Sequence, residues 1–300
     1  MSGDDSRETN GGQKVVGVRR LKEAMAKPTS TRIFTVANQK GGVGKTTTTV
    51  NIAAAMAMGG LRVLVIDLDP QGNASTALGV EHRDSAGVYE VLMGSAQMSE
   101  VVQKVAGFPV LDCVSSNTSL ANAEINLVSM VARELQLKEA IDSISVNYDY
   151  VFIDCPPSLG LLTINAFTAA KEVLIPIQCE YYSLEGLSQL LKTFELVKKR
   201  LNPTLKLSTL VLTMFNNTNL ANDVANEIRK HYPNELIDIP IPRTVRVSEA
   251  PGFKQTVMTY DPLSPGAIAY MSVARELAER GKPFDSNVVS INYKREGEIA

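Results

Sequence analysis

The chain has 300 residues, is 44% hydrophobic, and carries 30 basic against 32 acidic side chains for a formal net charge of −2. That size and composition fit one large α/β domain or two small ones. They exclude a strongly basic, histone-like binder, so any nucleic-acid contact must come from a local patch. Cys113, Cys155 and Cys179 form no CxxC pair, which suits a reducing cytoplasm and offers neither a disulfide framework nor a paired metal spacing.

Residues 1–12 are polar and glycine-containing, the composition of a flexible segment, and lack a signal peptide's apolar core. Between 14 and 27, Lys14, Arg19, Arg20, Lys22 and Lys27 stand against the single acid Glu23. Val18, Leu21 and Met25 recur there at helical spacing, predicting a short basic amphipathic helix for DNA, lipid or the body of the protein. Residues 1–31 thus read as a flexible basic extension, closed by Pro28. No apolar run in the chain reaches the length of a membrane-spanning helix.

Ile33, Phe34, Thr35 and Val36 predict a short buried strand, and Thr46 to Met58 an Ala-rich helix. Between them lies a complete GxxxxGK[ST] string, so the phosphate-binding loop stands in its required context. Glycines let backbone N–H groups approach phosphate closely, and the helix start adds more N–H groups and the positive end of its dipole. Lys45 supplies a compact charge to the β and γ phosphates, and the Thr46 hydroxyl ligates Mg²⁺. Gly41, Gly42, Val43, Gly44 and Thr47 complete the ATP cradle. Lys40 lies in the same loop, where like-charge repulsion from Lys45 is relieved once phosphate sits between them. It predicts a residue that works with nucleotide bound, across an interface. The plainer alternative is a solvated surface lysine.

Val63 to Ile66 predict a second strand ending at Asp67, with Asp69 on the same face of the extended chain. Carboxylates at the carboxyl end of a strand in an open α/β sheet sit where ligands bind, so this pair predicts Mg²⁺ and water chemistry. Capping of the next helix is the structural alternative. Residues 86–105 read as helical with a turn at Gly94, Val110 to Val114 as a strand, and 120–144 as strongly helical. Val151, Phe152 and Ile153 predict a strand ending in Asp154, the Walker B position, placed to accept from a Mg²⁺-bound water. Pro156, Pro157, Ser158 and Gly160 form the next loop, positioned to sense the γ-phosphate.

Val173 to Pro176 and Leu207 to Thr213 read as further strands. The helix between them ends in Lys198, Lys199 and Arg200, which a helix dipole accommodates without any ligand. Asn216, Asn217 and Asn219 follow the latter strand, where a side-chain amide is placed to read adenine. Arg243, Arg246 and Lys254 occupy a proline-bounded loop over 237–257, and a final helix runs from Pro265 to Arg280. The alternation over 32–280 predicts an α/β fold with one mostly parallel sheet and helices on both faces, followed by a mixed-charge tail, 281–300.

The assembled strings resemble the ParA/Soj partitioning ATPases, within the wider deviant-Walker family that includes MinD. They are NQKGGVGKTTT (38–48), IDLDPQGN (66–73), IDCPPSLG (153–160), QCEYYSLEG (178–186), PRTVRVSEAP (242–251) and YDPLSPG (260–266). The resemblance implies a three-layer P-loop fold, with ATP and Mg²⁺ as cofactors. It makes Lys40 the signature lysine, reaching phosphates across an ATP-sandwiched homodimer, and Asp69 the hydrolysis aspartate with Asp67 as its neighbour. Lys40, Lys45, Asp67 and Asp69 are thus the catalytic set; Thr46, Asp69 and Asp154 the metal set; Asn216, Pro242 and Arg243 additions to the ATP site. The family also implies a cytoplasmic, nucleoid-associated protein that binds double-stranded DNA without sequence preference. A ParB-like centromere-binding protein stimulates its hydrolysis, and a polar scaffold protein is a further candidate partner.

Arg246 matches a family DNA-contact arginine, but Asn217 stands where many chromosomal members carry another. Arg243, Lys254, the Lys198–Lys199–Arg200 cluster and the N-terminal extension are the compensating candidates. A MinD-like membrane-positioning ATPase is the rival reading, and NYKREGEIA at the C-terminus lacks the amphipathic helix it would need. A non-enzymatic ATP-binding scaffold is the other.

Overall fold

The computed structural model describes residues 23–83, 86–181 and 183–282. Parallel strands covered on both faces need unbroken apolar runs, and β1 (Arg32–Val36), β2 (Val63–Asp67) and β5 (Tyr150–Asp154) supply them. With β3 (Val102–Lys104), β4 (Leu111–Val114), β6 (Glu172–Gln178), β7 (Lys206–Thr213) and β8 (Leu236–Ile237) they form one sheet. Its order is β3-β4-β2-β5-β1-β6-β7-β8, and every pairing is parallel except β3 with β4.

Strand side chains alternate between faces, so each strand feeds two cores. Ile33, Leu64, Ile66, Val151 and Ile153 point to one, under α2 (Leu161–Ala169), α3 (Ser183–Arg200) and α4 (Asn219–His231), counting only the longer helices. Phe34, Val63, Val65, Tyr150 and Phe152 point to the other, with α1 (Lys45–Met58) and α5 (Pro265–Glu279). Phe34 stacks on Phe152 at 5.4 Å, and each such buried ring contributes about 1.5–3 kcal/mol. This is the expected three-layer P-loop arrangement.

Ion pairs close the sheet's amino end. The Arg32 guanidinium donates to both Glu172 oxygens at 2.7 Å and to the Leu277 carbonyl at 2.7 Å, tying β1, β6 and α5. Met25 donates its N–H to the Gly59 carbonyl at 2.9 Å, and its side chain is buried in the α1 core. Residues 24–28 are not helical, so the predicted amphipathic helix fails at its carboxyl end; its remainder to residue 22 lies outside the described residues, as do 283–300 of the tail. Docking of Met25, rather than helical periodicity, decides that segment.

Three other expectations change. The 86–105 stretch holds short helices Val88–Leu92 and Met98–Val101, then leaves helix for β3, where pairing with β4 overrides local propensity. The 120–144 stretch breaks between Ala123–Leu127 and Gln136–Asp142. The buried Asn165 amide causes the break, donating to the Arg133 carbonyl at 2.8 Å and accepting from the Leu137 N–H at 3.3 Å. The 237–257 loop is partly helical, with turns at Val245–Glu249 and Ala250–Phe253 before Val257–Tyr260.

Candidate nucleotide-binding site

The loop between β1 and α1 needs glycine where the backbone turns left-handed. Gly42 has φ 72° and Gly44 φ 86°, conformations that L side chains rarely adopt. A Cβ on Gly41 or Gly42 would meet no protein atom within 4 Å, so that side of the loop is open to a ligand. From behind, Thr213 donates its hydroxyl to the Val43 carbonyl at 2.8 Å, fixing the loop to β7. Asn38 holds the loop's entrance, donating to the Pro176 carbonyl at 2.8 Å and accepting the Lys40 N–H at 3.0 Å.

Both loop lysines have distinct settings. Lys45 is buried and donates to the Lys40 carbonyl at 3.3 Å. Burial lowers its pKa, while Asp154, Cys155 and Asp69 push the other way. Lys40 pairs its ammonium with Glu180, beyond the end of β6. The crowding expected from sequence is thus offset inside the chain, each ammonium having its own acceptor, Glu180 for Lys40 and the Lys40 carbonyl for Lys45.

Register brings the acids together. Asp154 at the end of β5 lies beside Val36 of β1 and Asp67 of β2. Its carboxylate accepts from the Thr46 hydroxyl at 2.7 Å and the Thr49 hydroxyl at 3.0 Å. Asp67 accepts from the Ser75 N–H at 2.8 Å, the Ser75 hydroxyl at 2.6 Å and the Asp69 N–H at 3.3 Å. It is therefore built into the turn that carries Asp69, the capping alternative posed by the sequence. Asp69 accepts from the Gln71 N–H at 3.0 Å and is 7% exposed.

Burial drives the pKa values of Asp67 and Asp154 up; the Asp69 charge adds to both rises, and the Asp67 charge adds to that of Asp154. The Ser75, Thr46 and Thr49 hydrogen bonds oppose the rise. A site with this much uncompensated carboxylate fits a cation beside it. Among the described residues, no three His, Cys, Asp or Glu side chains form a cation cage, so Mg²⁺ would share the Thr46 hydroxyl with phosphate oxygens. The residues present fit ATP and Mg²⁺.

A cavity of about 120 Å³ adjoins the loop, lined by Gly44, Thr47, Met214, Pro242, Arg243 and Tyr270 among others. Pro242 and Arg243, which the family resemblance assigns to the ATP site, line this cavity. Asn216 is exposed and is not among the lining residues. Met214, in the left-handed region at φ 48°, and Tyr270 of α5 carry no sequence signal for such a role.

The DNA-contact candidates separate. Arg246 is exposed on the Val245–Glu249 turn, 3.1 Å from Glu249 and 3.4 Å from Asp261. Arg243 and Lys254 are exposed on the same stretch, beyond the carboxyl end of the sheet. Lys198, Lys199 and Arg200 end α3, which runs back from the carboxyl end of β6 to the sheet's amino end, just before β7 begins. They and Arg246 occupy opposite ends of the molecule.

An AAA domain family model matches residues 31–207. The sporulation initiation inhibitor protein Soj of Bacillus subtilis is 48% identical over 252 residues, 83% of this chain and 99% of that protein. The chain belongs to the ParA/Soj family. The chromosome partitioning protein ParA of Myxococcus xanthus is 45% identical, over 84% of this chain and 89% of its own. A solved structure of cobyrinic acid a,c-diamide synthase from Mycobacterium smegmatis, with bound ADP and magnesium, is 38% identical with a TM-score of 0.73, covering 83% of this chain and 95% of that one. This ParA/Soj member is an ATPase that uses ATP and Mg²⁺. Among the described residues, no helix is long and apolar enough to cross a membrane.

Proposed function

We propose that this chain is an ATP-driven segregation switch that partitions a chromosome or plasmid as an ATP-bound dimer on DNA. The observation that carries this reading is Lys40, a partly exposed ammonium that pairs with Glu180, its only ion pair among the described residues. Such a side chain is free to reach the phosphates of a second copy facing it. Sequence kinship with Soj and with the chromosome partitioning protein ParA supports the same reading.

Bound ATP and Mg²⁺ supply the phosphoryl group and the cation that offsets its charge. Lys45, Thr46 and the loop N–H groups grip the phosphates, while Asp154 holds the Thr46 and Thr49 hydroxyls in place. Asp67 orders the turn, and Asp69, near enough to influence Lys45, positions the attacking water. Hydrolysis releases the dimer from DNA, stimulated by a ParB-like protein bound at the centromere. The protein would reside in the cytoplasm, on the nucleoid.

The DNA surface on this reading is the Arg243, Arg246 and Lys254 stretch, doubled by dimerisation. Binding to phosphates explains how a chain of net charge −2 holds DNA only as a dimer. The Lys198–Lys199–Arg200 cluster is then a separate contact, not part of that patch. Duplex binding measured over a salt series, with a non-hydrolysed ATP analogue, tests it. Arg246→Ala should weaken all sequences alike and flatten the log–log salt slope by about two units if both copies contact phosphate. An unchanged affinity and slope would place the DNA surface elsewhere.

A further inference from the structure

Beside the Arg246 turn lies a cleft of about 520 Å³ that the nucleotide site does not use. One wall is apolar, made by Leu78, Val105 and Phe108. At its rim Phe253 is 62% exposed, unusual for a large aromatic ring. The ring is held by stacking on Tyr260, with centroids 5.1 Å apart and planes inclined at 23°. Tyr260 in turn lies 5.9 Å from the Arg246 guanidinium, so a cation and two rings form one column.

Polar groups complete the cleft. Lys254 adopts φ 54°, a left-handed conformation that costs free energy in a non-glycine residue and marks functional sites. Gln255 contributes an amide with both donor and acceptor. Thr256 also lines the cleft, is 3% exposed, and its hydroxyl has no hydrogen-bond partner. A buried hydroxyl left unpaired carries a desolvation cost that a ligand's polar edge would offset.

We propose that this cleft is a nucleobase site, in which a base stacks on Phe253, meets Gln255 and Thr256 with its polar edge, and leaves its phosphate to Lys254. A stacked ring with an open side, an apolar wall and a flanking cation is the combination that holds unpaired bases without reading sequence. The base comes from a DNA strand or from a free nucleotide. The first source rests on the DNA-binding reading above, and the second does not.

Fluorescence quenching of 2-aminopurine tests the site, with the phosphate loop saturated by ADP and Mg²⁺. One arm uses a single-stranded oligonucleotide containing 2-aminopurine, the other free 2-aminopurine riboside monophosphate. The parent should quench at least one. Phe253→Leu, which keeps an apolar side chain but no ring, should weaken that binding by about 10-fold or more. Thr256→Val should weaken it too while melting no lower than the parent, because its hydroxyl makes no bond in the protein. Arg246→Ala should weaken the oligonucleotide arm alone. Quenching of the free nucleotide without the oligonucleotide keeps the site and removes DNA as its source. Quenching in neither arm, or quenching unchanged in both Phe253→Leu and Thr256→Val, overturns the proposal.

Discussion

Glu180→Gln should tighten the ATP-dependent dimer. In the single chain Glu180 holds the Lys40 ammonium, and that contact must break before Lys40 can reach a facing subunit. Both side chains are partly exposed, 36% for Lys40 and 48% for Glu180, so the pair belongs to the weak, screened class worth about 0.2–1 kcal/mol. Two copies release per dimer, which makes about 0.4–2 kcal/mol, or roughly a 2- to 30-fold stronger association. Sedimentation or light scattering with a non-hydrolysed ATP analogue measures it. The gain should shrink as salt rises, because screening already weakens the pair in the parent. Lys40→Ala, in contrast, should bind nucleotide but dimerise poorly. A Glu180→Gln protein that dimerises no better than the parent at low salt would refute the idea that this pair holds Lys40 back.

At the sheet's other end, burial pushes the Glu172 carboxyl up, but hydrogen bonds and charge from Arg32 outweigh it and leave the pKa lowered. That stabilisation is present above the ordinary carboxylate pKa and is lost as pH falls through the lowered folded value. Glu172→Gln should therefore cost about 2–4 kcal/mol near neutral pH, with the gap from the parent closing in acid on denaturant melts. Gly59→Ala should displace Met25, because the new Cβ would lie 2.5 Å from the Met25 Cγ. The expected loss is about 1–3 kcal/mol with faster proteolysis before residue 31, and equal protease sensitivity would contradict it.

Much of the nucleotide site was legible because its chemistry is local. The glycine loop, Lys45 and Thr46 are contiguous, and Asp67 and Asp154 announce themselves as acids closing apolar strands. What joins them is register between strands distant in sequence, which alternation over 32–280 predicts only as a fold. The edges were less legible. β3 and β8 are too short for a periodic signal, and the break in 120–144 depends on Asn165, a residue from another helix. Lys40's pairing with Glu180, the place of Asn216 outside the cavity, and the distance between Arg246 and the Lys198–Arg200 cluster are all tertiary facts. No spacing along the chain encodes them.

In the proposed mechanism Asp69 serves hydrolysis while other groups hold the nucleotide. Asp69→Ala removes a carboxylate that lies at the loop yet leaves Lys45, Thr46 and the loop N–H groups in place. Nucleotide affinity and phosphate release, measured on one preparation with DNA and a ParB-like partner, decide it. Parent-like ATP binding, a persistent dimer and loss of steady-state phosphate release are expected. Release at the parent rate would contradict it.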